Sequence, residues 1–347
     1  MVRRARTYSD PRVIDLLNEK FVPAAINING LQRQDDEEGR FFRLISWQGR
    51  YKKSFEEAMR QRFQTDHGLC HQGQFVTTVE GELLGSRHTA DVEQLLDMLH
   101  QALENWETRS TQRGVTEMDA VERDERFVWE YPEDGLVLHI GCCDLPRAVD
   151  RREPERRNDH NQDFLWMTQE EMLAIVPEGV ETGDRFPLPE SVHWRLVRYH
   201  LLDSVRGETN AWPVEAPRDI TIELEATAVD EDRVELEIHG SGTLSQLGDW
   251  CIGAPRQSVY QREEMCCLIQ ERGFDTELLG YATLDRRTKR FTAFDLLAVG
   301  TRWGGTRYNV RSNDTEPAPL GIAMTIAGTE TLDRTPPHAS PRSYFDA

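Results

Sequence analysis

The sequence predicts two units of different class, an α/β region followed by an α+β domain built on an antiparallel sheet. Three observations predict this. Helical periodicities alternate with short apolar runs over the first hundred residues. A polar stretch without sustained period follows, from Glu107 to Arg126. Beyond it, apolar and polar residues alternate in repeated short segments, as in half-exposed antiparallel strands. A chain of 347 residues suits about two domains, which places the first at 5–108, a linker at 109–125, the second at 126–330 and a flexible tail at 331–347.

In the first region Asp10 caps a helix with Pro11 at its first position, and Val13, Ile14, Leu16 and Leu17 form its apolar face. Phe21 to Ile28 reads as a short buried strand. Phe41, Phe42, Leu44, Ile45 and Trp47 mark a second helix, and Ser54 with Glu57 makes a capping-box pattern. Gln74–Val79 and Leu83–Leu84 flank Glu80-Gly81 as a hairpin. Thr89 is the expected cap of a long helix carrying Val92, Leu95, Leu96, Leu99, Ala102, Leu103 and Trp106.

In the second region Phe127–Tyr131 and Leu136–Ile140 read as strands around the turn 132–135, and Arg147–Asp163 as a charged surface loop. Thr168 and Glu171 form a capping box before a short helix, and Pro189 opens another through Trp194, Leu196, Val197, Leu201 and Leu202. Ile220–Glu225 and Val234–Ile238 alternate cleanly. Leu278–Thr283 and Phe291–Val299 pair around a turn at Asp285–Lys289, and Leu320–Ala327 is the last strand.

Charge and hydropathy exclude several classes. With 61 Asp+Glu against 41 Lys+Arg the net charge is -20, opposite to the basic face of a nucleic-acid binder. No run of about 18 apolar residues could span a bilayer, and Met1–Ser9 lacks the apolar segment of a signal peptide. The expectation is a soluble cytoplasmic protein without nucleic-acid or membrane partners. Apart from Lys20, Lys52, Lys53 and Lys289, the cationic side chains are arginines. That bias fits a GC-rich genome or a salt-tolerant host.

Cys70, Cys142, Cys143, Cys251, Cys266 and Cys267 are too sparse for a disulfide scaffold. Neighbouring thiols on a strand point to opposite faces, and no C-x2-C zinc spacing occurs. Ordinary buried thiols are the expectation. Cys70, Cys142 and Cys143 are the redox candidates.

The order helix, strand, helix, strand, hairpin strand, helix resembles a thioredoxin-like fold without its first strand. Tyr8–Pro23 resembles the segment after the active site in bacterial thioredoxin-like domains, where a helix ending in asparagine leads into a central strand. Phe75–Gly85 and the helix from Thr89 to Trp106 are similar to the terminal hairpin-and-helix half. The resemblance covers about residues 5–108. It implies redox chemistry only with a C-x-x-C some ten residues before Val13 and a proline before the third strand. Met1–Thr7 hold no cysteine, and Gln72–Gln74 no proline. The low-pKa thiolate of that chemistry is therefore not carried over. The module is non-catalytic, or the true start lies upstream of Met1. Residues 126–330 resemble no named family.

Candidate sites follow from local chemistry. Cys70 beside His71 is an activated thiol or an ordinary one. His139, Cys142, Cys143 and Asp144 offer metal-ligand types, but without spacing that completes a four-ligand shell, so no metal is expected. Asp159–Asp163 and Asp203, Arg206, Glu208 and Asn210 cluster polar groups at helix ends. Such clusters build acid–base sites, or pin loops through Arg–carboxylate pairs. Gly300–Arg311 is the most distinctive stretch. There Arg302, Trp303, Arg307, Tyr308 and Arg311 suit an anionic or planar ligand, or a glycine-bent strand whose arginines pack on aromatics. No phosphate loop or dinucleotide fingerprint occurs, Gly240-Ser241-Gly242 included, and no cofactor is expected. The sequence thus points to a binding or scaffolding protein for an unknown protein partner or a small anionic ligand. The alternative is an enzyme, either a thiol oxidoreductase or a hydrolase or metal enzyme sited in the second domain.

Overall fold

A computed structural model describes residues 7–8, 10–26, 31, 36–48, 73–89, 91–110, 131–150, 152, 157, 159–207, 209–250, 268–306, 309, 311, 314–337 and 344–345. The chain divides into two compact units, Met1–Val128 and Trp129–Ala347.

In the first unit, α1 (Pro11–Lys20) starts where Asp10 accepts the Arg12 amide at 2.9 Å, with proline in the first turn. Helix α2 (Glu37–Trp47) begins earlier than its aromatic run, because Asp36 accepts the Gly39 amide at 2.8 Å. Strands β1 (Gln74–Thr77) and β2 (Leu83–Arg87) pair antiparallel through a turn in which Gly81 takes φ 86°. Helix α3 (Val92–Ser110) packs Leu95, Leu96, Leu99 and Ala102 on Val13, Val76 and Leu84. Its cap is Asp91, which accepts the Gln94 amide at 2.9 Å. The expected cap, Thr89, instead accepts the Asp91 amide.

The strand expected at Phe21–Ile28 does not form over the described residues 21–26, which have no ladder partner. Val22 is 97% exposed. Pro23 contributes no ladder donor at the centre of this run. The only sheet among the unit's described residues is the β1–β2 hairpin. Ser54 and Glu57 lie outside the described residues.

The second unit is α+β. Its strands are β3 (Leu136–Asp144), β4 (His160–Met167), β5 (Arg185–Pro187), β6 (Ile220–Val229), β7 (Arg233–Trp250), β8 (Leu268–Asp285), β9 (Arg290–Trp303) and β10 (Ala318–Ile326). They form one antiparallel sheet in the order β4-β3-β10-β9-β8-β7-β6-β5. Helix α4 (Gln169–Ala174) carries the expected capping box. Thr168 Oγ1 accepts the Glu171 amide, and the Glu171 carboxylate accepts the Thr168 amide. Helix α5 (Glu190–Arg195) continues into a π-helical turn, Leu196–His200. Met172, Ile175, Val192, Leu196 and Val197 from these helices pack on Ile222, Leu224, Leu236, Ile238, Leu296, Ile322 and Met324 of the sheet. The main core thus lies on one face of the sheet, as alternation requires, while Val137, Phe164 and Trp166 of β3 and β4 are buried in a smaller cluster on the other.

Several sequence expectations are corrected here. The charged loop ends at Asp159, because residues 160–163 continue β4 and pair with β3. Tyr131 is not in a strand, and β3 pairs with β4 and β10 instead. Strands β7, β8 and β9 run well past their alternating cores, and the extensions of β7 and β8, Thr243–Trp250 and Leu268–Arg272, pair with each other. Gly240 belongs to β7, where a Cβ would come within 2.6 Å of the Thr221 carbonyl oxygen of β6. The segment expected as a flexible tail contains a short 3₁₀ turn, Thr331–Arg334, and the fully buried Tyr344. An aromatic ring with a polar tip buries profitably only where its hydroxyl finds a partner, and here it does.

Candidate functional site

At one end of the sheet, three connections carry a buried network of arginines and aspartates. Asp144 closes β3, and Arg147, Asp150, Arg152 and Asp159 lie in the β3–β4 connection. Asp203 and Arg206 follow the π-helical turn. Arg302 ends the inward row of β9, and Arg311 and Asp314 lie in the β9–β10 connection. Gly304, at φ 70°, turns the chain out of β9, and its amide donates to the Thr315 carbonyl at 2.7 Å.

Arg311 is the centre. Its Nε and Nη2 donate to Asp203 at 2.7 and 2.8 Å. Its Nη1 and Nη2 donate to Asp144 at 2.9 and 2.8 Å, and Nη1 also donates to Asp314 at 3.0 Å. Those five bonds use every guanidinium proton. Arg206 pairs with Asp144, Asp159 and Asp314 at 2.9–3.1 Å. Arg302 pairs with Asp314 at 2.8 Å and donates to the Asp314 and Glu316 carbonyls. Arg147 grips Asp314, and Arg152 bridges Asp144 and Asp150. Five arginines thus face five aspartates, and the network is neutral when all are ionised.

Burial and pairing compete in the ionisation of each group. Burial alone would raise the carboxyl groups of Asp144 and Asp314. Their arginine partners outweigh it and hold both below the usual carboxylate range. Burial and then the neighbouring Arg311 cation lower Arg206 and Arg302. Arg311 is raised despite its burial, by Asp203 and Asp144. A second clamp lies nearby. Arg272 donates to the Asn210 and Ala211 carbonyls and to Gln246, and lies over the Trp212 ring at 4.3 Å. Burial brings Arg272 down to about 10.

The two clusters singled out in the sequence therefore meet. Arg302 and Arg311 face Asp203 and Arg206, but as mutually neutralising partners that pin loops. Trp303 packs on Gly273, where a Cβ would come within 2.0 Å of the indole. Arg307, Tyr308, Glu208 and Cys70 lie outside the described residues. Asp144, Asp314, Arg147 and Arg152 complete the network. The density of arginine and aspartate between 144 and 163 is the sequence signal for Arg147 and Arg152, Asp144 stands out only as a metal-ligand type, and Asp314 carries no local signal.

Burial disfavours the thiolate at both described cysteines. Cys142 faces the core, its Sγ donating to the Leu202 carbonyl at 3.9 Å, and burial pushes it up to about 12. Cys143 lies on the opposite face, half-buried, and burial raises it too. Both shifts oppose the activated thiolate that a redox cysteine needs. His139 Nε2 lies 3.2 Å from Gln162 Oε1 and its ring packs beside Phe164. It is about 13 Å along the strand from Cys143, too far to share an ion. Among the described residues no group of three His, Cys, Asp or Glu side chains is placed to hold a metal ion. No described helix is long and apolar enough to cross a membrane.

A further cluster was not foreseen. Tyr344 is held by Arg195, whose Nε donates to its carbonyl at 2.7 Å, and by His200, whose Nε2 lies 2.7 Å from its hydroxyl. The Trp166 amide donates to the same hydroxyl at 3.3 Å. Burial raises the Tyr344 phenol well above its ordinary value. Arg195 is itself paired with Glu171, linking the capping box of α4 to the carboxyl-terminal segment.

The sheet face opposite the core is apolar at its centre. Leu279 (45%), Tyr281 (56%), Leu297 (48%) and Val299 (41%) on β8 and β9 are exposed. Leu279 sits opposite Leu297, which sits opposite Ala323 on β10. Leu296-Leu297-Ala298-Val299 is an unbroken apolar run. In an antiparallel strand such a run makes both faces apolar, and it is the one local signal in the sequence that bears on this surface.

No family model matches this chain, and neither a curated protein nor a solved structure is significantly similar to it.

Proposed function

We propose that this is a non-catalytic binding protein, a thioredoxin-like module joined to a rigid platform that docks a protein partner. What supports this reading is the exposed apolar face of the eight-stranded sheet. Adjacent exposed Leu, Val and Tyr side chains on neighbouring strands form a surface of the kind that protein interfaces use. The buried network behind one end of the sheet holds its connections, so the platform meets its partner with little ordering cost. An anionic ligand at Arg302 and Arg311 would have to displace the carboxylates that already neutralise them.

A photo-crosslinking side chain at position 297 of the full chain tests the proposal in cells. A discrete protein adduct that Leu279→Glu abolishes, with unchanged thermal unfolding, is the expected result. No adduct, together with catalysed insulin reduction by the same protein, would favour the oxidoreductase instead.

A further inference from the structure

The face that carries this reading has a charge pattern of its own. Strand registers place three rows side by side. One runs Gly321, Val299, Glu277, Ser241, Thr221. The middle row runs Ala323, Leu297, Leu279, His239, Glu223, and the third Thr325, Asp295, Tyr281, Glu237, Glu225. The apolar groups form a diagonal, Val299 to Leu297 and Leu279 to Tyr281. Glu277 stands beside Val299, and Asp295 beside Tyr281, at the opposite corners. The cross-strand neighbours of Glu277 are Val299 and Ser241, and those of Asp295 are Thr325 and Tyr281, so neither row sets a cation beside the acid. Glu223 and Glu237 close the β7 side, where His239 lies 3.3 Å from Glu237.

Resting on the binding reading above, we infer that the partner is a basic amphipathic segment. It presents apolar side chains to Leu279, Leu297 and Val299, and lysine or arginine to Glu277, Asp295 and Glu223. The charge pattern selects this occupant over two others. A second copy would bring the same carboxylates against themselves, on a chain of net charge -20. An anionic lipid surface would meet the same repulsion. A helix fits the geometry: neighbouring strands are about 4.8 Å apart, close to the 5–6 Å between side chains three or four apart on a helix. A cationic rim would also speed encounter with so acidic a protein.

The test uses the full chain and two labelled helical peptides of roughly five turns. Both carry leucine along one face, one with lysine and one with glutamate on the other. Fluorescence anisotropy is expected to show saturable binding of the leucine–lysine peptide only. Leu297→Glu should weaken it by about tenfold or more, although this variant makes the chain more negative. Leu279→Thr, a milder change, should act in the same direction. Glu277→Lys with Asp295→Lys should move the preference to the leucine–glutamate peptide.

Tighter binding to Leu297→Glu would mean diffuse charge attraction and overturn the inference. A concentration-dependent dimer lost in Leu297→Glu would place a second copy on the face and also overturn it, as would binding to anionic phosphatidylserine vesicles that Leu297→Glu removes. If Leu297→Glu abolishes binding but the charge-reversed variant keeps the lysine preference, the surface stands and its cationic partner falls.

Discussion

Arg311 and Asp203, 108 residues apart in the chain, meet in a two-pronged ion pair at 2.7 and 2.8 Å, and the same guanidinium holds Asp144 in a second one. The first pair ties the β9–β10 connection to the segment after the π-helical turn. Asp144 then anchors both to the end of β3. Loops that carry no regular structure are thus fixed by charge at one end of the sheet.

Removing the centre of this network should be severe. Arg311→Ala leaves Asp144 and Asp203 buried without their principal partner, so equilibrium urea unfolding should show a loss of about 3–5 kcal/mol. Asp203→Asn alone should cost less. The double variant should cost less than the sum, because the pair is coupled.

Acid should weaken the second unit through the same residues. Asp144 and Asp314 are held below the ordinary carboxylate value in the folded protein. Their contribution is therefore fully present above the unfolded value of about 3.9 and is lost as pH falls through their folded values. Unfolding free energy measured against pH should decline below about pH 5. The decline should be shallower in Asp314→Asn, and an unchanged slope would argue against the ionised network.

Tyr344→Phe should leave the ring in place and strand two groups, the Trp166 amide and the His200 imidazole. The expected cost is about 1–3 kcal/mol in urea unfolding. Equal stability of the two proteins would mean that the carboxyl-terminal segment is not docked in solution.

The two neighbouring thiols should differ in reactivity. With burial holding Cys142 near 12 and in the core, iodoacetamide should modify it only on unfolding. Cys143, half-buried on the other face, should react in the native state, but more slowly than free cysteine. Peptide mapping after timed alkylation separates the two. Rapid native modification of Cys142 would contradict the packing.

Much of the architecture was legible because it depends on neighbours in sequence. Asp10 with Pro11 and Thr168 with Glu171 start their helices where their side chains can reach the first turn. The alternation of Ile220–Glu225 and Val234–Ile238 identified two strands facing a core. Other elements escaped for reasons outside their own segments. Residues 160–163 look like loop until β3 offers them a ladder, and Phe21–Ile26 look like strand until no partner takes them.

The arginines show where the two kinds of information part. Composition alone established an acidic chain whose cations are almost all arginine, and local pattern picked out Arg302 and Arg311 among glycines and aromatics. Whether those guanidinium groups face a ligand or the protein's own acids depends on which distant carboxylates the fold delivers. Asp144 comes from the end of β3, and Asp203 and Asp314 come from two separate connections. Coulomb attraction is sharp in distance only once the groups are buried together, and sequence separation carries no record of that distance. Period and capping were set by residues a few positions apart. The partners of the buried charges, and the bare face of the sheet, were decided by strands brought together from across the second unit.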